Sequence, residues 1–199
     1  MSFTSIMFAC HSKAKTPVDN VLQANNDMAI IDFSGTEALT FLAANLGLDV
    51  NKLMTRGLGI KSSLDDDLNS RFAFAVYYFS ETAFRFVLSS EASLQLQALM
   101  NEQQLRYDID YVLRDDLSVA TLSGQHAFDT LIECFKLTPG LRLSDQQSCY
   151  GTQSGDVFIT AIEHQLEQQF QLIAKAPELT KWQVHLQQRG FTLSLAEVA

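Results

Sequence analysis

Met28–Leu46 reads MAIIDFSGTEALTFLAANL, and the order of its parts decides the fold. Ala29, Ile30 and Ile31 form an apolar strand and Ser34-Gly35 a turn, while Ala38, Leu39, Phe41, Leu42 and Leu46 make the inward stripe of a helix. The pattern returns in Ser118–Phe135, SVATLSGQHAFDTLIECF, with Gly124 standing 89 residues beyond Gly35. A strand turning sharply into a helix needs φ > 0 or a close backbone approach, and glycine allows both at little steric cost. Solenoid repeats recur at much shorter periods. Two copies at this spacing predict one α+β domain built from two similar halves, about 28–103 and 106–176. A lead-in over 1–27 precedes them and a tail over 178–199 follows.

The bulk numbers agree with a folded domain. In 199 residues, 47% are hydrophobic and 19% charged, a globular composition with enough chain for one sizeable core. The net charge of −9 argues against binding a phosphate backbone or an anionic membrane surface, because such proteins gather positive charge on one face. Cys10, Cys134 and Cys149 have no paired spacing, so neither a disulfide framework nor a zinc site is indicated and a reducing cytosol is expected. Ile6–Cys10 has the outline of a lipoprotein cleavage site. It lacks a preceding basic stretch and its apolar run is shorter than a signal core, so export is not expected. No window approaches the roughly 20 apolar residues of a membrane span.

Taken in order, the chain predicts a short helix near Val18–Ala24, then the organising segment closed by Gly47 and a helical turn over Asp49–Leu53. Strands follow at Gly57–Leu64 and Phe72–Phe79, joined by an acidic tip over Asp65–Ser70. The run FAFAVYYF is apolar at every position, as in a strand covered on both faces. A third strand (Phe84–Leu88), an amphipathic helix (Glu91–Gln103) and a half-buried strand (Tyr107–Leu113) complete the first half. After the second copy of the organising segment come one or two strands over Ser148–Ala161. A helix over Ile162–Ala176 stopped by Pro177, a short helix near Trp182–Gln188 and an apolar stretch Phe191–Leu195 end the chain.

The residues alone display no catalytic constellation. His11, His126, His164 and His185 fall in four segments without a ligand-spaced partner, and no nucleophile elbow or phosphate loop is present. The acidic tip lacks the alternation of a calcium loop and reads as a solvated hairpin end. Arg114-Asp115-Asp116 reads as a strand end with local ion pairs.

Five stretches in register nonetheless resemble the folate-binding part of the glycine-cleavage T protein, the aminomethyltransferase family: IIDFSGTEALTFLAANLGLDV, GLGIKSSL, VYYFSETAFRFVLSS, YVLRDDLSVATLSGQHA and CYGTQSGDVFITA. The resemblance runs from about residue 28 to 176 and implies two swapped α+β halves, each β-β-α-β-β-β-α, around a central pocket for tetrahydrofolate. It implies a cofactor-binding set of Ser63, Leu64, Ser89, Tyr150 and Gln153. The departures from the family pattern are specific. The Asp held responsible for the family's transfer chemistry falls on Ala73, and a methyl group neither relays a proton nor stabilises a cation. The family's Asn falls on Ser89, and its pterin-binding Glu falls on Gln153, an amide with one acceptor and one donor group where a carboxylate has two acceptors. The chain also has roughly half the family's length.

These departures imply a degenerate member, without the family's transferase activity, that binds tetrahydrofolate or a protein partner, either a second copy or a partner subunit. The gamma subunit of heterotetrameric sarcosine oxidase resembles it in size. One alternative is an active one-carbon transferase using Asp66 or Asp67. Another is a folate protein of the iron–sulfur-maintenance kind, whose Lys-Gly-Cys-Tyr-Thr-Gly-Gln-Glu motif is echoed by SCYGTQSG and would make Cys149 reactive. A third is a structural domain whose pocket has closed, with Phe72, Phe74 and Tyr78 filling the volume around Ala73 and Ser89.

Overall fold

The computed structural model describes residues 19–54, 58–65, 71–136, 148–164 and 167–194. The first half comprises β1 (Val21–Asn25), β2 (Met28–Ser34), α1 (Ala38–Leu46), α2 (Val50–Leu53), β3 (Leu58–Asp65), β4 (Arg71–Ser80), β5 (Ala83–Ser89) and α3 (Ser90–Gln103). The second comprises β6 (Asp110–Leu113), β7 (Leu117–Ser123), α4 (Ala127–Phe135), β8 (Ser148–Ser154), β9 (Val157–His164), β10 (Glu167–Lys175) and α5 (Ala176–Gln188), with β11 (Thr192–Ser194) at the end. The fold is mixed α+β, with few helices on one large sheet ordered β11-β1-β7-β10-β9-β8-β3-β4-β5-β2-β6.

The sheet has a seam where β3 meets β8, with Leu58 opposite Tyr150 and Gly59 opposite Cys149. Outward from the seam the order is β3-β4-β5-β2-β6 on one side and β8-β9-β10-β7-β1 on the other. The fifth strand on each side is exchanged: β6 pairs with β2 of the first half, and β1, itself edged by β11, pairs with β7 of the second. The repeated glycines mark the exchange. Gly35 (φ 147°) sits so close to the chain entering β6 that an added Cβ would lie 2.1 Å from the Asp108 carbonyl oxygen. Gly124 (φ 124°) sits equally close to the chain entering β1, its added Cβ lying 2.6 Å from Asn20 Cα and 2.7 Å from the Asp19 oxygen. No residue with a side chain fits either joint.

Alternation along each strand sorts side chains into two layers. In the first half Ile31, Phe33, Phe74, Val76, Phe86 and Leu88 face the helices, packing with Phe41 and Leu96. In the second, Leu122, Ile159 and Leu172 meet Leu131 of α4 and Leu186 of α5. On the opposite face the sheet curls until the halves touch, Ile30, Tyr77 and Val87 packing with Val119, Phe158 and Ile173.

Two expected helices are strands. Val18–Ala24 gives way to β1 over Val21–Asn25, which exists because β7 offers it an antiparallel ladder. Ile162–Ala176 gives way to the end of β9 and to β10, whose Phe170, Leu172 and Ala174 enter the helix-covered core while Ile173 enters the central cluster. Burial on both faces places apolar residues at spacings that resemble a helical stripe. Pro177 lies in the first turn of α5, where its missing N–H is harmless, so it opens a helix and does not close one. No helix among the described residues is long and apolar enough to cross a membrane.

Candidate functional site

Where the halves face each other the sheet leaves a cavity of about 440 Å³. Its floor is the row formed by Lys61, Ala75 and Val87, which stand opposite one another on β3, β4 and β5. Ala73 extends the floor, and Met28 and Ser89, opposite each other on β2 and β5, flank it. Glu91, Ala92 and Gln95 from the first turns of α3 close one side, and Cys149, Ala161 and Gln171 of the second half close the other. The volume lies within the range of about 300–1,000 Å³ usual for small-molecule sites.

A buried polar row crosses the cavity's inner end. The Tyr77 hydroxyl neighbours Cys149 and Thr160, and Thr160 Oγ1 donates to Gln171 Oε1 at 3.2 Å. Tyr77, Cys149, Thr160 and Gln171 are each at least nine-tenths buried. Gly59 and Gly151 make room for the phenol, since a Cβ on either would fall within 2.6 Å of the ring. Burial pushes the Cys149 thiol up to about 11, outweighing the Tyr77 hydroxyl and the Lys61 charge. Burial, then the neighbouring Cys149, raises Tyr77 well above the ordinary phenol range. Both groups are therefore neutral hydrogen-bonding elements at physiological pH.

Lys61 and Glu91 are the charged residues of the lining. Lys61 forms no ion pair with another described residue, so its ammonium is available to an anion. At the far end of the same sheet face, Asp32 accepts from Arg85 Nε at 2.6 Å and Nη2 at 3.0 Å, and from Arg114 Nη1 at 2.5 Å. Arg114 also reaches Asp116 at 2.7 Å, so the Arg-Asp-Asp triplet makes its expected local pair and a longer bridge to β2.

The residues singled out from sequence are distributed as follows. Ala73 and Ser89 line the cavity, and Ser89 Oγ also caps α3 by accepting the Ala92 N–H at 3.2 Å. Ser63 lies on the cavity strand opposite Ala73, outside the lining. Leu64 points the other way and packs with Phe72 against the first core. Tyr150 packs into the second core, on the face opposite Cys149. Gln153 is exposed at the β8–β9 hairpin, donating from Nε2 to the Gly155 oxygen at 2.8 Å. Asp66 and Asp67 lie outside the described residues. The structure thus gathers Ala73 and Ser89 and adds Lys61, Tyr77, Cys149 and Gln171. Alternation along each strand turns these four away from the helices, but nothing local in the sequence marks that face as the lining of a cavity. Among the described residues, no three His, Cys, Asp or Glu converge as metal ligands.

The closed-pocket alternative does not hold. Phe72 and Phe74 border the cavity without filling it, while Tyr78 meets Phe84 edge-on at 5.8 Å in the helix-covered core.

No family model matches the chain. Among solved structures it is similar to the glycine cleavage system aminomethyltransferase T from Bartonella henselae, with a TM-score of 0.69 and 18% identity over 90% of this chain and 48% of that one. It is also similar to a chain of the heterotetrameric sarcosine oxidase from Corynebacterium sp. U-96 in complex with pyrrole 2-carboxylate. There the TM-score is 0.61 and the identity 14%, over 90% of this chain and 88% of that one. At these identities the likeness is one of fold. The chain spans about half the length of the aminomethyltransferase.

Proposed function

We propose that this protein is a binding module for a folate-class ligand, a pteridine with an acidic tail, and that it does not carry out one-carbon transfer. The observation that carries the proposal is the open cavity between the halves, walled by apolar side chains and furnished with a cation, amides and hydroxyls, with Ala73 where a carboxylate would be needed. The residues present fit such a ligand. Flat apolar walls suit a ring system, and Lys61 offers a counter-charge to a carboxylate. The assignment of Ser63, Leu64, Ser89, Tyr150 and Gln153 as the binding set becomes narrower: Ser89 is retained, joined by Lys61 and Gln171. The protein's three cysteines, without paired spacing, favour the cytosol, and the likeness to a chain of a heterotetramer supports association with a partner subunit or a second copy.

Calorimetric titration with tetrahydrofolate, with thermal melting alongside, tests the reading. A ligand bound only by the folded state adds about 2.7 kcal/mol at a hundredfold excess over Kd, so a clear rise in melting temperature at micromolar ligand is expected. Neither heat nor shift at millimolar ligand overturns the binding assignment. Folate-dependent transferase turnover by the purified protein overturns the non-catalytic one. If turnover appears, Asp66→Asn with Asp67→Asn asks whether the acidic tip supplies the acid.

A further inference from the structure

The two halves carry each other's template for what the cavity holds. Their ladders share one register: Ser34 before Gly35 faces Ala83, and Ser123 before Gly124 faces Gln169, so Arg85 of β5 corresponds to Gln171 of β10 and Val87 to Ile173. Ala75 lies opposite Val87, and Phe158 lies opposite Ile173. Ala75 and Phe158 are therefore equivalent positions on the facing sheet surfaces, as are Tyr77 and Thr160, which lie opposite Arg85 and Gln171.

The equivalence shows why one side is open and the other closed. Beside Arg85 the Phe158 ring fills the space: it is 2% exposed, 5.3 Å from the Tyr77 ring centroid and 5.3 Å from the Phe79 centroid, with the Arg85 guanidinium carbon 5.3 Å from its own. Beside Gln171 the equivalent position is the methyl of Ala75, half-buried on the cavity floor. The cavity thus contains the volume of one aromatic ring that the other half supplies from its own chain. The edge group differs in kind. Arg85 spends its donors on Asp32, whereas Gln171 lines the cavity with its oxygen taken by Thr160, which leaves the amide NH₂ as its remaining hydrogen-bonding group.

We propose that the cavity seats a planar aromatic ring over Ala75, in the place Phe158 fills across the two-fold, and that Gln171 donates its amide N–H to an acceptor on the ring's edge. The ligand class is a flat heteroaromatic bearing an oxo group or ring nitrogen. The inference rests on the folate-class reading for the ligand's identity and on the internal symmetry for the ring seat.

Fluorescence titration with lumazine, a pteridine dione, tests it on wild type, Ala75→Phe and Gln171→Leu, with naphthalene as the same-sized ring without acceptors. Wild type is expected to bind lumazine. Ala75→Phe, which supplies the ring from the chain, should weaken it at least a hundredfold while retaining a wild-type circular dichroism spectrum. Gln171→Leu should weaken lumazine about tenfold and leave naphthalene unchanged, as expected for the loss of one hydrogen bond. No lumazine binding by wild type at millimolar concentration, or equal binding by wild type and a folded Ala75→Phe, overturns the proposal. Should Ala75→Phe not fold, the Gln171→Leu contrast decides, and equal losses for both ligands overturn it. Lumazine binding without tetrahydrofolate binding overturns the folate reading alone, whereas tetrahydrofolate binding indifferent to Ala75→Phe overturns the ring seat alone.

Discussion

Asp32 and Arg85 face each other across the β2–β5 ladder in a two-point pair, Nε to Oδ1 at 2.6 Å and Nη2 to Oδ2 at 3.0 Å. The guanidinium also lies over the rings of Phe79 and Phe158, 5.2 and 5.3 Å from their centroids, so it joins the first half to the second. Asp32 holds Arg114 as well, which ties the β6–β7 turn to β2.

Partial burial works to raise the Asp32 carboxyl, but Arg85 and then Arg114 outweigh it and hold it below its ordinary value of 3.8. A carboxyl lowered in the folded state contributes stability that is present above the unfolded value and lost as pH falls through the folded one. Asp32→Asn should therefore cost about 1–3 kcal/mol at pH 7, because it leaves two arginines short of a partner. The gap between variant and wild type should narrow as pH falls below about 4. Urea melts at pH 7 and pH 3 measure it, and a gap independent of pH would show that the pair contributes no charge-linked stability.

The glycine joints make a second prediction, which separates close approach from ordinary turn geometry. At Gly35 a methyl would meet the Asp108 carbonyl oxygen at 2.1 Å, while at Gly124 its nearest main-chain atoms, Asn20 Cα and the Asp19 oxygen, lie at 2.6 and 2.7 Å. Both residues have positive φ, where an alanine is strained by about 1–3 kcal/mol even with room available. Gly35→Ala and Gly124→Ala should each lower stability by more than about 2 kcal/mol, Gly35→Ala by more. By contrast Gly47→Ala, at φ 60° with open space around it, should cost about 1 kcal/mol. Chemical denaturation of the three variants gives the ranking.

How far the sequence could be read depended on whether a signal was local. The Ser-Gly joints, the FAFAVYYF strand and α3 were legible because each carries its turn chemistry, its burial or its period within a few residues. The exchange of β1 and β6 was not, because what draws Val21–Asn25 into a strand is β7, about a hundred residues away. β10 was misread because a strand buried on both faces loses the polar alternation that identifies it. The site followed the same rule. Ser89 was singled out only through the family resemblance, as the position of the family's Asn, whereas Gln171 and Tyr77 matter only through curvature that brings the halves face to face. A step of one residue separates Cys149, in the central cluster, from Tyr150, in the helix-covered core, and only the pleat decides which of them meets the cavity.

Cys149 supports a prediction about reactivity. It is 1% exposed and its thiol is pushed up to about 11, so roughly one molecule in a thousand carries a thiolate there at pH 8. Iodoacetamide should modify it at least a hundredfold more slowly than an unstructured thiol, and Cys134, less buried and less raised, should react first. A thiol raised in the folded state contributes stability that is full below its unfolded value and declines as pH climbs through the folded one. The protein should accordingly lose stability above about pH 8.5, and Cys149→Ser should flatten that alkaline decline. Mass spectrometry of timed alkylation reads the rates. Rapid modification of Cys149 in the folded protein would reopen the iron–sulfur-maintenance alternative, which needs that thiol to react.

Phe158 and Phe79 pack against each other at 5.3 Å and share Arg85, yet they should differ sharply in what they contribute. Phe158 is 2% exposed between the halves, and Phe79 is 43% exposed at the β4–β5 hairpin. Truncating a buried Phe removes its transfer energy and leaves a void, so Phe158→Ala should cost about 3–5 kcal/mol. Phe79→Ala gives up half-solvated surface, its contact with Phe158 and its share of Arg85, and should cost about 1 kcal/mol. Because Arg85 lies over both rings, the two losses should not add: the double variant should be less destabilised than their sum, by about 0.5–1 kcal/mol. A double-mutant cycle by urea unfolding measures the coupling. Strict additivity would mean that the two rings hold Arg85 independently, and that the second half is joined to the first by apolar burial alone.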